Sequence, residues 1–116
     1  MMEADLVTVL KTCCPRVYPD FAPAGAALPY VVYQHIGGTP QRYVDGGSGL
    51  RHTMLQINSW ATTRGDSLTL ARAIETALCA ATAFTAKPDS EPIGDLDDDT
   101  ERRGSMQDFS VWSART

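Results

Sequence analysis

The residues with most capacity for chemistry lie in one stretch. Asp89, Glu91, Asp95, Asp97, Asp98, Asp99 and Glu101 follow one another with no basic residue among them. Carboxylates at this density suggest a divalent cation. The spacing does not support an EF-hand: counting from Asp95, the glycine needed at the sixth position is Thr100, and the glutamate needed at the twelfth is Met106. Asp95, Asp97, Asp99 and Glu101 alternate, so in a strand all four project to one face. At about 7 Å separation in water each pair repels by roughly 0.6 kcal/mol before salt screening, which a solvated edge tolerates. Asp95, Asp97, Asp98, Asp99 and Glu101 are therefore expected to form an acidic edge or surface, with weak divalent-cation binding as the less favoured alternative.

Other reactive side chains lack partners at useful spacing. His35 and His52 are the only histidines, and neither belongs to an HExxH pattern or has a carboxylate at ligand spacing. Both fall in expected strands and read as surface residues. No GxSxG elbow is present; Ser48 sits between Gly47 and Gly49, as at the tip of a loop. Cys13, Cys14 and Cys79 form no CxxC. Adjacent α-carbons lie about 3.8 Å apart, below the usual disulfide range, so Cys13 and Cys14 do not bridge. Cys13 falls on an apolar helix stripe and behaves as a small hydrophobe, whereas Cys14 is expected to be the more exposed. The glycines from Gly37 to Gly49 have no P-loop lysine and open no helix, so they do not cradle phosphate. No catalytic residue, metal ligand or cofactor is expected.

The elements that would carry these residues follow from periodicity. Leu6, Val9, Leu10 and Cys13 recur at helical spacing and predict a helix over Glu3–Cys14, stopped by Pro15. Prolines and glycine leave 17–28 irregular or briefly extended. Pro29–Ile36 is rich in β-branched and aromatic residues and predicts a strand. Leu55 and Ile57 alternate with Gln56 and Asn58 in a second strand over Leu50–Ala61. Leu70, Ala71, Ile74, Ala77, Leu78 and Ala81 predict a helix over Asp66–Phe84, capped by Thr62 or Thr63. Met106–Trp112 is a closing strand, with Ile93–Asp99 its hairpin partner and a turn near Arg102–Gly104. The fold class expected is α+β, with two helices on one face of a largely antiparallel sheet of four to five strands.

Size and charge restrict the function. The 116 residues are expected to form a single domain over 1–116, with enough core to need no metal or disulfide. No apolar run reaches the roughly 18 residues of a membrane span. The start, Met1-Met2-Glu3-Ala4-Asp5, is acidic where a secretory leader is basic, so a cytoplasmic location is expected. A net charge of −4, concentrated in the acidic stretch, disfavours sequence-specific nucleic-acid binding. What remains is surface. The connection from Gly37 to Gly49 is longer than an ordinary hairpin loop and carries Gln41, Arg42, Tyr43 and Val44 at its centre. Arginine and tyrosine are common in interfaces, so these four are the candidate partner-binding residues.

Four features in order resemble the small tail completion proteins, or tail terminators, of long-tailed phages and prophages, once filed as a domain of unknown function. They are the short first helix; the Pro29-Tyr30-Val31-Val32-Tyr33-Gln34 strand with its glycine-rich loop; the strand with Leu55-Gln56-Ile57-Asn58-Ser59-Trp60-Ala61, running into a helix with Leu68, Ala71, Ile74 and Leu78; and the closing Asp108-Phe109-Ser110-Val111-Trp112 strand. The resemblance covers nearly the whole chain. It implies a non-enzymatic virion component made in the bacterial cytoplasm that assembles on the end of the tail tube as a ring, typically of six copies. The implied partners are the chain itself, the tail tube protein and a head-closure protein. It implies that the Gly37–Gly49 loop touches a neighbouring subunit or tube protein, and that the acidic stretch lines or flanks the DNA channel, where like charge prevents sticking. The adjacent cysteines and the acidity near the end do not map onto the family. Two other classes fit the same residues: another small virion adaptor, such as a head-closure or tube protein, and a host domain binding a small ligand.

Overall fold

A computed structural model describes residues 2–37, 50–97 and 102–114. Helix α1 spans Met2–Lys11, followed by strand β1 at Val17–Pro19, β2 at Tyr30–Gly37 and β3 at Leu50–Ala61. Helix α2 spans Arg64–Ala80, and strands β4 at Thr85–Pro88, β5 at Ile93–Asp97 and β6 at Arg102–Ala114 follow. The strands form one sheet ordered β1-β2-β3-β6-β4, with β5 also on β6. All pairings are antiparallel except the short β1–β2 pair. The architecture is α+β, as the periodicity indicates.

Six strands replace the expected four to five because the outer edge is broken. β4 pairs with β6 from Trp112 to Phe109, and β5 continues in the same direction from Met106 to Arg102. Together they are one interrupted strand, so the sheet is five strands wide. The interruption at 89–92 is tied back to β6: Asp89 N–H donates to the Asp108 carbonyl at 2.8 Å, and the Ser110 hydroxyl donates to Asp89 Oδ2 at 2.7 Å. β6 begins at Arg102, so Arg102, Arg103 and Gly104 belong to the strand and not to the hairpin turn; the strand ladder pairs Arg102 with Asp97.

The core lies between the helices and one face of the sheet. Leu6 and Leu10 of α1 and Ile74 and Leu78 of α2 meet Val31, Leu55, Ile57, Phe109 and Val111, all 2% exposed or less. Side chains of this size each contribute about 1.5–3 kcal/mol on full burial. α2 starts two residues earlier than its apolar pattern suggests, because Thr63 caps it: the Thr63 hydroxyl accepts from Asp66 N–H at 3.1 Å. It stops before Phe84, with Ala81 already extended, and Phe84 turns back into the core at 5% exposure.

α1 also ends earlier than expected, and the roles of two cysteines are the reverse of those expected. The chain leaves the regular helix after Lys11, while Cys14 N–H still donates to the Leu10 carbonyl at 3.0 Å. Cys14 thus sits one helical turn beyond Leu10 and in line with it. Cys14 is 1% exposed, its thiol 3.4 Å from the Pro29 carbonyl, whereas Cys13 is half-buried and Cys79 is exposed. Leu6, Leu10 and Cys14 recur every four residues, so the buried stripe runs through Cys14, whereas a stripe drawn through Val9 and Cys13 leaves it outside. Arg16 fastens the same corner, its guanidinium donating to the carbonyls of Ala27, Leu28 and Pro29 at 3.0 Å each.

Candidate interaction surfaces

Both helices cover the face of the sheet that carries Leu55, Ile57 and Phe109. Alternation sends Met54, Asn58, Trp60, Met106, Asp108 and Trp112 to the opposite face. Across its near end runs an aromatic row from three strands. Tyr18 meets Tyr30 edge-on with ring centroids 6.0 Å apart, and Tyr30 stacks on Trp60 at 6.4 Å. Arg102 closes the row from β6. Its guanidinium carbon lies 5.3 Å from the Tyr30 ring centroid, and it donates to the Tyr30 hydroxyl at 2.8 Å. Trp60 can lie flat because its cross-strand partner is Gly104. A Cβ on Gly104 would stand 2.9 Å from Trp60 Cε3. At the far end His52 stacks on Trp112 at 4.9 Å.

Two buried oxygens on this face, Asn58 Oδ1 and Asp108 Oδ1, have no hydrogen-bond partner. They lie on adjacent strands one step apart, since Asn58 pairs with Met106 and Gln56 with Asp108. A buried acceptor left unpaired costs about 1–3 kcal/mol, a cost that an added donor removes.

Beneath the first turns of α2 the core is polar. Ser67 is fully buried, its hydroxyl donating to the Arg64 carbonyl at 2.9 Å and lying 3.1 Å from that of Ser105. Gln107 donates through Nε2 to Glu75 at 2.7 Å and to the Ser90 carbonyl at 2.9 Å. Small serines let the helix approach the sheet closely, and Gln107 ties α2 to the strand break at 89–92. At the other end of the core the Tyr33 hydroxyl donates to Glu3 Oε2 at 3.0 Å. Burial first, then that carboxylate, pushes the phenol up to about 12.

The residues singled out from sequence are distributed as follows. Gln41, Arg42, Tyr43 and Val44 lie outside the described residues, as do Asp98, Asp99 and Glu101. Asp95 and Asp97 belong to β5, opposite Gly104 and Arg102. His35 is exposed on β2 and pairs with Leu55, so alternation places it on the face opposite to His52. Among the described residues no three of His, Cys, Asp and Glu gather to hold a metal ion, and no helix is long and apolar enough to cross a membrane. The aromatic row is not among the features read from sequence. Its signal is Tyr18, Tyr30 and Trp60 at strand positions with a glycine at 104, which becomes visible only once register is known.

A model of the family "Tail completion protein gp17" matches residues 2–114. The chain belongs to that family. The match spans α1 through β6, and the family is a structural class of phage tail protein. A search of curated proteins gave no match.

Proposed function

We propose that this tail completion protein ends the growth of a phage tail tube by assembling on its tip as a ring of copies, and that the ring helps to form the surface that meets the head. The observation that supports this reading is the family match across residues 2–114. In it the segment around Gln41, Arg42, Tyr43 and Val44 contacts a neighbouring subunit or the tube protein. The carboxylates Asp95, Asp97, Asp98, Asp99 and Glu101 flank the path of DNA, where their charge repels phosphate. The partners are further copies of the chain, the tube protein and a head-closure protein, with no cofactor. The protein is made in the host cytoplasm and ends in the virion tail.

The test is addition of the purified chain to tail tubes that lack it, with copies per tube end counted by quantitative mass analysis and tube length followed by microscopy. A fixed multiple of about six copies per tip and an arrest of tube growth are expected. Continued elongation at saturating protein would overturn the capping function. Arg42→Ala with Tyr43→Ala is expected to abolish tip binding while the chain stays folded; undiminished assembly refutes that contact. Charge reversal at Asp97, Asp98 and Asp99 is expected to lower infectivity without lowering tip binding; normal infectivity refutes the channel role.

A further inference from the structure

A cleft of about 320 Å³ opens between the end of α1 and the first turns of α2, above the points where β2 begins and β3 stops. Pro29, Ala61, Leu70 and Ala73 line it with small apolar surface, the half-buried Cys13 thiol stands in its wall, and Asp66 is its one charged group. Among the described residues the exposed Asp66 carboxylate enters no ion pair and accepts no hydrogen bond. Clefts of about 300 Å³ and upward are large enough to take a ligand or an inserted side chain. A free carboxylate beside apolar walls selects a cation carried next to an apolar group.

The chain carries such a group in Arg42, which Tyr43 and Val44 follow. Arginine and tyrosine are the anchors that interface pockets receive most often, and the other tyrosines, Tyr18, Tyr30 and Tyr33, are already held in β1 and β2. A second cleft, of about 240 Å³ between α2 and the strand break, sets Arg64 and Arg72 against Glu91 and so has the wrong sign for Arg42. The segment does not reach the cleft of its own chain. Tyr43 lies seven residues before Leu50, so even a fully extended backbone holds its Cα within about 25 Å of Leu50. Ala61, in the cleft wall, lies at the far end of β3, roughly 36 Å from Leu50 at the rise of a strand. A tyrosine side chain does not bridge that difference, so the occupant is the segment of another copy.

We propose that this cleft is the seat for the Arg42–Tyr43 segment of a neighbouring copy, with the Arg42 guanidinium on the Asp66 carboxylate and Tyr43 against the apolar walls. Segment and cleft belong to opposite ends of the β2–β3 ladder, the one following the Gly37–Met54 pair and the other lying beside Tyr30–Trp60. The contact therefore joins unlike patches head to tail, the kind that generates rings when the rotation closes. This inference rests on the ring reading above and names the pocket that receives the segment.

The native Cys13 thiol in the cleft wall makes the test direct. A chain carrying Cys79→Ser receives Val44→Cys or, in a second version, Gln41→Cys, and is oxidised on purified tail tubes. A ladder of covalent oligomers is expected from at least one of the two, and its loss when Cys13→Ser is added. Asp66→Arg and Arg42→Asp are each expected to reduce the copies bound at subsaturating concentration by about tenfold, and the two together to restore them. Such a rescue reads the contact itself, since a fold defect in either single variant would persist in the double. If the parent chain binds in multiple copies yet neither position gives a ladder, or the paired charge swap gives no rescue, this interface is overturned and the ring survives. If the parent binds as a single copy, the ring reading fails and this contact with it. If oxidation gives only monomers with the introduced thiol joined to Cys13 of the same chain, the segment fills its own cleft, which also overturns the proposal.

Discussion

Gly104→Ala puts the packing of the aromatic row to a quantitative test. The added Cβ would stand 2.9 Å from Trp60 Cε3, 3.0 Å from Cζ3 and 3.1 Å from Cδ2, against an ordinary contact of about 3.5–4.0 Å. The indole must therefore lift by roughly half an ångström or more, and its stacking on Tyr30 is disturbed. Overpacking of this kind costs about 1–3 kcal/mol. The backbone at Gly104 is not left-handed, so alanine also lowers the entropy of the unfolded chain and returns about 0.4–1 kcal/mol. The net expectation is a loss of about 1 kcal/mol, near 4 °C in Tm for a chain of this length. The same substitution made in a Trp60→Ala chain meets no indole, so its sign should invert to a gain of about 0.5 kcal/mol. Urea unfolding of the four chains, followed by circular dichroism, gives the cycle, and a coupling of about 1–2 kcal/mol is expected. A Gly104→Ala penalty that persists unchanged without Trp60 would refute the argument, placing the cost in the β6 backbone.

Three further outcomes follow from contacts already described. Thr63→Ala removes the cap of α2 and should cost about 1 kcal/mol in urea unfolding. Tyr33 holds its proton to about 12 in the fold against an ordinary value of 10.0. The folded chain therefore binds more protons between those values, and stability from this group is present below pH 10 and lost as pH rises toward 12. Tyr33→Phe should flatten that alkaline decline in a pH series of thermal melts. Thiol labelling should reach Cys79 first, Cys13 more slowly and Cys14 only on unfolding, following their exposure; burial and Glu75 raise the Cys79 thiol, so its rate should climb with pH above neutrality.

Long periodic segments are readable because their burial follows one period. Leu6 and Leu10, Leu55 and Ile57, Ile74 and Leu78 are all core residues where the pattern places them. What escapes the sequence is set by tertiary register. β1 and β4 have three and four residues, too few for any period to declare itself, and they exist because β2 and β6 offer edges. Ser67 reads as polar and exposed, yet it is buried because Ser105 across the interface answers its hydroxyl. Cys14 is misplaced because the apolar stripe is drawn through Val9 and Cys13, whereas the buried positions Leu6, Leu10 and Cys14 recur every four residues. The candidate site is legible only in part. Asp95 and Asp97 fall in a strand as their alternation suggests, whereas the aromatic row requires knowing that Trp60 faces Gly104.

The position of β6 also governs how the chain reaches this state. β6 is the strand that β3, β4 and β5 all pair with, and it comes after every one of them. Its ladder with β3 joins Ala61 to Arg103 and Leu50 to Ala114, partners 42 and 64 residues apart. Closing loops of that length before any contact repays the entropy makes folding slow, on the millisecond-to-second scale typical of non-local β pairing. Until β6 has been synthesised, β1, β2 and β3 can pair, but Phe109 and Val111 are missing from the core that Leu55, Ile57, Ile74 and Leu78 share. During that interval Leu55, Ile57, Ile74 and Leu78 lack part of their cover, the kind of apolar surface that makes a folding intermediate prone to aggregate. Substitutions in β6 are therefore expected to slow folding more than they speed unfolding, which the two arms of a urea chevron would show.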